Sequence, residues 1–215
     1  MSRLRSLMKS MLGRVPGFVE IWQRIRPASG EIPGGYRLDR LQAELPAWVQ
    51  SVSRAREKVA HNESKRVLVL GFFSWWVEHG VMFGLWLSAL GHDVDFAYLP
   101  YRRWTERVNR FDLRRQQAYL KQIFAPVSRH MACYDLLQLA KPELPEALAR
   151  SIDEQSVTDV QYIRRWEGVD VGKGGADRDL YLLRKGMNLD LAQAIYGLLK
   201  DNQYDMVMLP NGSIL

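Results

Sequence analysis

The stretch RVLVLGFFSWWVEHGVMFGLWLSALGHDVDFAYLP, residues 66–100, decides the fold class. Its first eight residues, 66–73, form a nearly continuous apolar run, which is typical of a parallel strand that is covered on both faces. Residues 79–91 then predict a helix that ends at a glycine, and residues 92–100 predict a second strand. A strand, a helix and a strand in this succession form a βαβ unit, which places two parallel strands side by side.

Helical and extended patterns continue to alternate along the rest of the chain. Helices are predicted over residues 38–60, 109–128, 144–165 and 180–200, strands over 132–140 and 204–209, and a loop over 167–179. The segment 132–140 fits a strand or a helix, and we favour a strand. This alternation predicts an α/β fold with a Rossmann-like parallel sheet flanked by helices.

A basic amphipathic segment precedes the predicted sheet. Residues 3–15 and 18–25 place their apolar side chains on one helical stripe, and basic residues occupy much of the remaining surface. Residues 27–37 contain two Pro and three Gly, which is typical of a linker. The sequence therefore predicts a helical amphipathic arm with its linker over residues 1–37, followed by a Rossmann-like domain over residues 38–215.

Two partners suit a basic amphipathic arm, and periodicity alone does not separate them. Such a helix lies in the surface of an anionic membrane, or it docks on its own domain or on a partner domain. The formal net charge of +6 is compatible with either partner. We therefore keep an anionic membrane surface as a predicted partner, at the inner face of the membrane of an otherwise cytoplasmic protein.

Composition excludes several classes of protein. The chain of 215 residues is 47% apolar, so it can bury a real core. Cys133 is its single cysteine, which excludes a disulfide framework and a cysteine-rich metal site. The four histidines lie far apart, so no metal site is predicted. No apolar run reaches the roughly 18–20 residues that a membrane span needs.

Several familiar nucleotide-binding motifs are absent. The first strand ends in GFFSWW, which is not the G-x-G-x-x-G turn of dinucleotide-binding proteins, and no Walker A sequence is present. The segment GKGG, residues 172–175, does not follow a strand or open directly into a helix in the right register, so we favour a loop. Basic residues between 102 and 115 are mixed with Glu106 and Asp112, which favours a solvated helix face over a nucleic-acid site.

The candidate site follows from the predicted sheet. Ligands of open parallel sheets bind at the carboxyl ends of the strands, where three loops are expected, at 74–79, 100–104 and 210–213. These loops carry Ser74, Trp75, Trp76, Glu78, His79, Tyr101, Arg102, Arg103, Trp104, Asn211 and Gly212. Aromatic faces beside hydrogen-bonding groups suit a sugar or a nucleotide, and guanidinium groups suit phosphate.

His79 and Gly80 are predicted at the start of a helix. Free backbone N–H groups favour anions there, and the helix dipole disfavours the charged form of an imidazole. His79 then serves as a neutral base or hydrogen-bond donor, or it caps the helix without a chemical role. Glu78 fits a capping carboxylate, and Trp75 and Trp76 also fit a cover over the sheet edge.

The stretch 66–100 resembles the opening βαβ unit of GT-B glycosyltransferases. Those enzymes begin with an apolar strand, a helix that carries a His near its start, and an apolar run that ends in GH-V before a second strand. His79, Gly91, His92 and Val94 match this layout. The likeness extends more weakly over residues 65–215, and FFSWW departs from the glycine-rich turn of the family.

The resemblance implies an enzyme of polysaccharide biosynthesis. It implies transfer of a sugar from a nucleotide-sugar to a glycan or lipid-linked acceptor, with no further cofactor and no nucleic-acid partner. His79 would be the catalytic residue, and the substrate contacts would come from Trp75, Trp76, Glu78, Gly80, Tyr101, Arg102, Arg103, Asn211 and Gly212.

Two further expectations depend on this resemblance. GT-B enzymes hold the nucleotide-sugar on a second Rossmann-like domain, so the chain is expected to be the acceptor-side half, truncated before that domain and inactive alone. The alternative is a non-enzymatic peripheral membrane or scaffold protein with a flavodoxin-like domain.

Overall fold

The predicted α/β class is confirmed by a computed structural model, which describes residues 8–25, 32–59, 63–101 and 105–209. Four strands form one sheet: β1 (Arg66–Gly71), β2 (Asp93–Tyr98), β3 (Met131–Asp135) and β4 (Met206–Met208). Their order is β3-β2-β1-β4, and every pair is parallel. The chain therefore steps outward from β1 in one direction and returns to its other side, as in half of a Rossmann fold.

The described helices alternate with these strands. They are α1 (Phe18–Ile25), α2 (Asp39–Arg56), α3 (Ser74–Ala89), α4 (Arg110–Phe124), α5 (Glu146–Arg164) and α6 (Ala176–Asp201), preceded by helical residues 8–12. Residues 125–129 and 136–138 form short 3-10 helices. Most of these bounds lie within a few residues of the predicted ones. The largest differences are at α3, which begins five residues earlier than predicted, at α6, which begins four residues earlier, and at α2 and α4, which each end four residues earlier.

The chain divides into two compact units. The sheet unit contains the four strands with α1 to α4, and the two-helix unit contains α5, α6 and the segment that leads into α5. The division into an arm of residues 1–37 and a domain of residues 38–215 stays a prediction.

Three helices cover one face of the sheet. Alternate residues of a strand point to the same face, and this face carries the apolar side chains of β1 and β2. They pack with α2, α3 and α4 in one buried cluster that includes Val67, Val69, Val94, Phe96, Leu41, Leu45, Val77, Val81, Leu85, Leu120 and Ile123. The core of the sheet unit therefore lies between the sheet and these helices.

Helix α3 approaches the sheet along a stripe of small residues. Gly80, Gly84 and Ser88 are spaced four residues apart, so they lie on one face of the helix, and all three are buried. A Cβ on Gly80 would lie 2.6 Å from Cε2 of Phe96, and a Cβ on Gly84 would lie 2.7 Å from Sδ of Met131. Larger residues at these positions would push the helix away from β2 and β3.

Replacing Gly80 by alanine should therefore destabilise the protein, although alanine is usually more stable than glycine inside a helix. The added methyl group meets the fully buried ring of Phe96, and overpacking of this kind costs about 1–3 kcal/mol. Gly186→Ala is the matched control, because Gly186 lies inside α6 with no atom near its absent Cβ. There alanine should raise the free energy of unfolding by up to about 1 kcal/mol. Urea unfolding measures both values, and a stabilising Gly80→Ala change would contradict the packing account.

The N-terminal arm, residues 8–25 in the structure, docks on α4 through polar contacts. Arg114 donates hydrogen bonds to a carboxylate oxygen of Glu20 at 2.7 Å and to the carbonyl oxygens of Gly13 and Val15 at 2.9 Å. Lys9 pairs with the buried Asp112 at 2.8 Å. A Cβ on Gly13 would approach the backbone nitrogen of Phe111 to 2.8 Å, so the two backbones nearly touch. Of the two predicted partners, the structure shows the arm on its own domain.

The apolar stripe of the arm faces away from α4. In α1, Val19 and Gln23 are buried, whereas Ile21 is 58% exposed, Trp22 38% and Ile25 73%. At 100° per residue Ile21 and Ile25 lie on the side of the helix opposite to Val19 and Gln23, and Trp22 lies at the boundary between the two sides. Met8, Met11 and Val15 are exposed as well. The arm is therefore inverted relative to an ordinary amphipathic helix, which buries its apolar side.

A short strand completes the sheet beside β1. The backbone N–H of Arg66 donates to a carboxylate oxygen of Asp205 at 2.7 Å, and the N–H of Asp205 donates to the carbonyl of Arg66 at 2.9 Å. The side chain of Arg66 and the hydroxyl of Tyr204 both donate to Asp95, at 2.8 and 2.7 Å. These contacts join the start of β4 to β1 and β2.

The two-helix unit contains a buried ion pair between its helices. Arg184 on α6 and Asp159 on α5 are both buried, and two N–H groups of the guanidinium donate to Oδ2 of Asp159. Asn188 donates to the same oxygen at 2.8 Å, and Gln155 donates to Oδ1 at 3.0 Å. The unit is thus held together by a polar network as well as by apolar contacts.

Candidate functional site

Three strands end side by side at the carboxyl edge of the sheet. Gly71, Tyr98 and Asp135, the last residues of β1, β2 and β3, are register partners. The segment before α2 closes over this edge, because the buried hydroxyl of Tyr36 donates to the carbonyl of Leu99 at 2.8 Å. This edge is where the ligands of open parallel sheets bind.

Asp135 is a site candidate that the sequence did not reveal. It ends β3 as a buried carboxylate, next to Tyr98. Burial, and then the negative charge of Asp135, raise the pKa of Tyr98, and burial chiefly raises the pKa of Tyr36. Both hydroxyls therefore stay protonated at neutral pH and act as hydrogen-bond donors. A strand boundary at residue 135 instead of 140 would have placed this acid at the edge.

The predicted loop at residues 74–79 is instead the first part of α3. Phe73 is the last extended residue, with φ −123° and ψ 156°, and the helix begins at Ser74. The reason is that Val77 is the first residue of an inward stripe that continues with Val81 and Leu85. A helix that buries Val77 includes the turn around it.

The predicted placement of His79 and Gly80 at the start of a helix is therefore wrong. Both lie in the second turn of α3, where backbone N–H groups are taken up inside the helix and the dipole effect has faded. Gly80 is buried against Phe96, which leaves no room for a ligand at that position. The expected anion site at this helix end is absent from the described residues.

The ring of His79 is nevertheless anchored to the backbone of its own helix. Its Nδ1 lies 2.5 Å from the carbonyl oxygen of Trp75. A carbonyl only accepts hydrogen bonds, so Nδ1 is the donor, and the tautomer that this contact favours leaves Nε2 without a proton. The side chain is exposed on the surface of α3. The backbone thus fixes the orientation of this imidazole and favours one tautomer.

Aromatic rings cluster around His79. The ring of Trp76 lies 5.9 Å from that of His79 and 4.8 Å from that of Trp75, which in turn stacks on Phe73 at 6.2 Å. Trp75 is largely exposed and Trp76 is half-buried. The structure therefore brings together three of the predicted site residues, Trp75, Trp76 and His79.

A small groove lies beside this cluster, between α2 and α3. It is lined by Arg40, Leu41, Trp48, Glu78, His79 and Met82 and has a volume of about 110 Å³. Sites that enclose a small molecule are larger, about 300–1,000 Å³. The groove therefore fits one edge of a ligand, with Arg40, Glu78 and His79 as its polar groups.

The remaining predicted site residues are only partly described. Tyr101 is buried directly beyond β2. Arg102, Arg103, Trp104, Asn211 and Gly212 lie outside the described residues, and their predicted roles stay predictions.

Two other sequence features carry no chemistry in the structure. Burial raises the pKa of the Cys133 thiol to about 12, so this thiol is protonated and a poor nucleophile at neutral pH.

Residues 171–175 form a loop as predicted, although α6 follows directly at Ala176. The backbone N–H groups of Gly172 and Lys173 donate hydrogen bonds to the carboxylate of Asp170 at 3.0 and 3.3 Å. These two N–H groups are therefore not available to bind a phosphate.

Over the described ranges, no three His, Cys, Asp or Glu side chains come together as metal ligands. None of the helices described is both long and apolar enough to cross a bilayer.

No protein family, curated protein or solved structure matches the chain.

Proposed function

We propose that the protein is a glycosyltransferase whose acceptor lies at the carboxyl edge of the sheet and the first two turns of α3. The observation that carries this proposal is the favoured tautomer of His79, with Nδ1–H on the carbonyl of Trp75 and Nε2 without a proton. A general base needs such a nitrogen within hydrogen-bond reach of the proton that it removes. The rings of Trp75 and Trp76 supply the apolar faces on which a sugar ring packs.

The proposed reaction assigns one step to His79. The acceptor hydroxyl oxygen attacks the anomeric carbon of the nucleotide-sugar, and its proton passes to Nε2 of His79. The bond between the anomeric carbon and the phosphate oxygen breaks, and the nucleoside diphosphate leaves with the bonding electron pair. The resemblance implies that a second Rossmann-like domain holds the donor, and the nucleotide-sugar is a substrate, so no further cofactor enters the step.

The test of the activity is acceptor-dependent release of nucleoside diphosphate. The chain, together with the donor-binding domain that the resemblance implies, is incubated with a panel of nucleotide-sugars, with and without a lipid extract of the native membranes or a glycan fraction. Release that requires the acceptor supports the proposal. Absence of release across the panel, from protein that is folded by circular dichroism, rejects it in favour of the non-enzymatic alternative.

We also propose that the arm holds the protein against the inner face of an anionic membrane. The supporting observation is the inverted docking on α4, which leaves Ile21, Trp22 and Ile25 exposed while Arg14 and Arg24 are exposed on the same segment. Apolar side chains beside cations suit a surface of anionic lipid. The same feature favours the second candidate function, a non-enzymatic peripheral membrane or scaffold protein, because it does not depend on His79.

Replacing Ile21, Trp22 and Ile25 by serine should abolish sedimentation with phosphatidylglycerol vesicles. These side chains are exposed, and surface changes of this kind shift stability by only about 0.5 kcal/mol each, so the fold should be retained. Arg14→Gln and Arg24→Gln should each weaken binding about fivefold at low salt, since a basic residue near an anionic surface contributes about 1 kcal/mol.

The control is Leu182→Ser with Leu199→Ser, which removes exposed apolar side chains from α6 and should leave vesicle binding unchanged. Equal sedimentation of the wild type and the triple serine variant would contradict the membrane proposal. Vesicle binding without acceptor-dependent release identifies the scaffold function.

A further inference from the structure

A second and larger groove lies in the two-helix unit, at the C-terminal end of α5. It has a volume of about 630 Å³ and is lined by Thr158, Gln161, Tyr162, Ile163, Arg165, Trp166 and Glu167. This volume falls within the range of about 300–1,000 Å³ that is usual for small-molecule sites. The resemblance assigns no role to any residue of this groove.

The backbone around the groove is held by a complete helix-ending motif. The N–H of Trp166 donates to the carbonyl of Gln161 at 3.1 Å, and the N–H of Arg165 donates to the carbonyl of Tyr162 at 3.2 Å. This pair of bonds forms a Schellman motif, whose turning residue is usually glycine. Here the turning residue is Arg165, with φ 56° and ψ 38°.

Arg165 is the only described non-glycine residue with a positive φ. A side chain in this left-handed conformation is strained, and glycine would relieve the strain. Strained residues cluster at binding sites, where a side chain serves a purpose that outweighs its cost. Arg165 is one of the residues that line the groove, and a contact with a bound ligand would account for the strain.

The indole of Trp166 is held in place rather than free to rotate. A Cβ on Gly168 would lie 2.8 Å from its Cζ2 and 3.0 Å from its Nε1, so the ring lies directly against the Gly168 backbone. The side chain of Gln161 donates to the carbonyl of Glu167 at 3.0 Å, which fixes the turn between Trp166 and Gly168. The ring is thus presented by a rigid turn, as preorganised binding sites require.

The chemistry of the groove suits a carbohydrate. Tyr162 is 75% exposed and Trp166 is 64% exposed, so two aromatic rings border a hollow that also contains amide, hydroxyl, guanidinium and carboxylate groups. Pyranose rings offer both apolar faces and hydroxyl groups to such a surface. Arg165 and Glu167 contribute opposite charges, so the groove has no cationic excess for a nucleic acid or an anionic lipid.

We propose that this groove binds pyranose units of a neutral glycan, with the sugar ring against Trp166 and Tyr162. The binding site is separate from His79 and stands without the transferase activity. It rests on the proposed function only in suggesting that the glycan is an acceptor chain.

The test is affinity electrophoresis of the full chain in native gels that contain a soluble neutral polysaccharide. Dextran, hydroxyethylcellulose and galactomannan are the probes, and no nucleotide-sugar is present. At least one of them should retard the wild type. Trp166→Ala should weaken the interaction about tenfold, Trp166→Phe should retain part of it, and Gly168→Val should weaken it by displacing the indole.

The matched control is Trp86→Ala, which removes an equally exposed tryptophan from α3. This variant should be retarded like the wild type. Arg165→Gly should raise the urea midpoint of unfolding while weakening retardation, which separates a ligand contact from a structural role.

Three results would overturn the proposal. These are no retardation of the wild type by any probe, unchanged retardation of Trp166→Ala, and equal losses in Trp166→Ala and Trp86→Ala. Self-association that disappears in Trp166→Ala, measured by sedimentation equilibrium without polysaccharide retardation, would instead identify an interface between copies. Because no donor is present, failure of the transferase assay does not change any of these readings.

Discussion

Replacing Arg184 by methionine is expected to lower the free energy of unfolding by about 3–5 kcal/mol, the usual cost of leaving one partner of a buried ion pair alone. Arg184 donates two hydrogen bonds to Oδ2 of Asp159, and both side chains are buried between α5 and α6. Methionine fills similar space, so the loss comes from the uncompensated carboxylate. Urea unfolding followed by circular dichroism measures the effect.

Two controls separate burial from charge pairing in this prediction. Arg150 pairs with Glu146 on the exposed surface of α5, so Arg150→Met should cost less than about 1 kcal/mol. A double variant, Arg184→Met with Asp159→Leu, removes both charges and should recover much of the loss, because apolar replacements of a buried pair are often neutral. Equal effects of Arg184→Met and Arg150→Met would contradict the assigned role of burial.

Under the proposed transferase activity, replacing His79 by glutamine is expected to reduce kcat by about 10²–10⁴-fold, the contribution of a positioned general base. Glutamine is polar and of similar reach, but it has no basic nitrogen corresponding to Nε2. Acceptor-dependent release of nucleoside diphosphate is the measurement.

His92→Gln is the matched control for His79→Gln. His92 precedes β2, at the opposite edge of the sheet, where its Nδ1 accepts a hydrogen bond from the backbone N–H of Lys65 at 3.3 Å. Its replacement should leave the rate unchanged. A full rate in His79→Gln would instead show that His79 only orders the surface of α3.

The α/β class was accessible from the sequence because the stretch 66–100 holds two buried strands and the helix between them. The position of β4 beside β1 was not accessible. Apolar patterns show that residues 204–209 form a strand, but neighbours in a parallel sheet are set by contacts between segments that are far apart in the chain. The order β3-β2-β1-β4 is therefore a property of the three-dimensional structure.

In the arm, the apolar periodicity of the sequence predicts one feature of the structure but not another. Its apolar spacing correctly predicts which side chains share a face, as the common exposure of Ile21, Trp22 and Ile25 confirms. It does not show which face docks. Here Lys9, Glu20 and Gly13 make the contacts with α4, through two ion pairs and one close backbone approach. Such contacts depend on partners about 90–100 residues away in the chain.

The candidate site was predicted in its composition but not in its geometry. Trp75, Trp76 and His79 come together as expected, because they follow the first strand at the edge where ligands bind. The helix start was misplaced because the apolar stripe was taken to begin after His79, whereas Val77 already belongs to it. Asp135 was missed for a related reason, since the end of β3 was placed too late.

The position of β1 in the middle of the sheet has a consequence during protein synthesis. Its partner β2 emerges from the ribosome immediately after α3, but β4 lies beyond α5 and α6. At about 5–20 residues per second, the ribosome takes several seconds to translate the chain between β3 and β4. Through that interval the VLVLG segment of the nascent chain has an open edge, which is the kind of surface that chaperones protect and that seeds aggregation. Slow or interrupted translation in the region of α5 and α6 therefore prolongs the most vulnerable state of this protein.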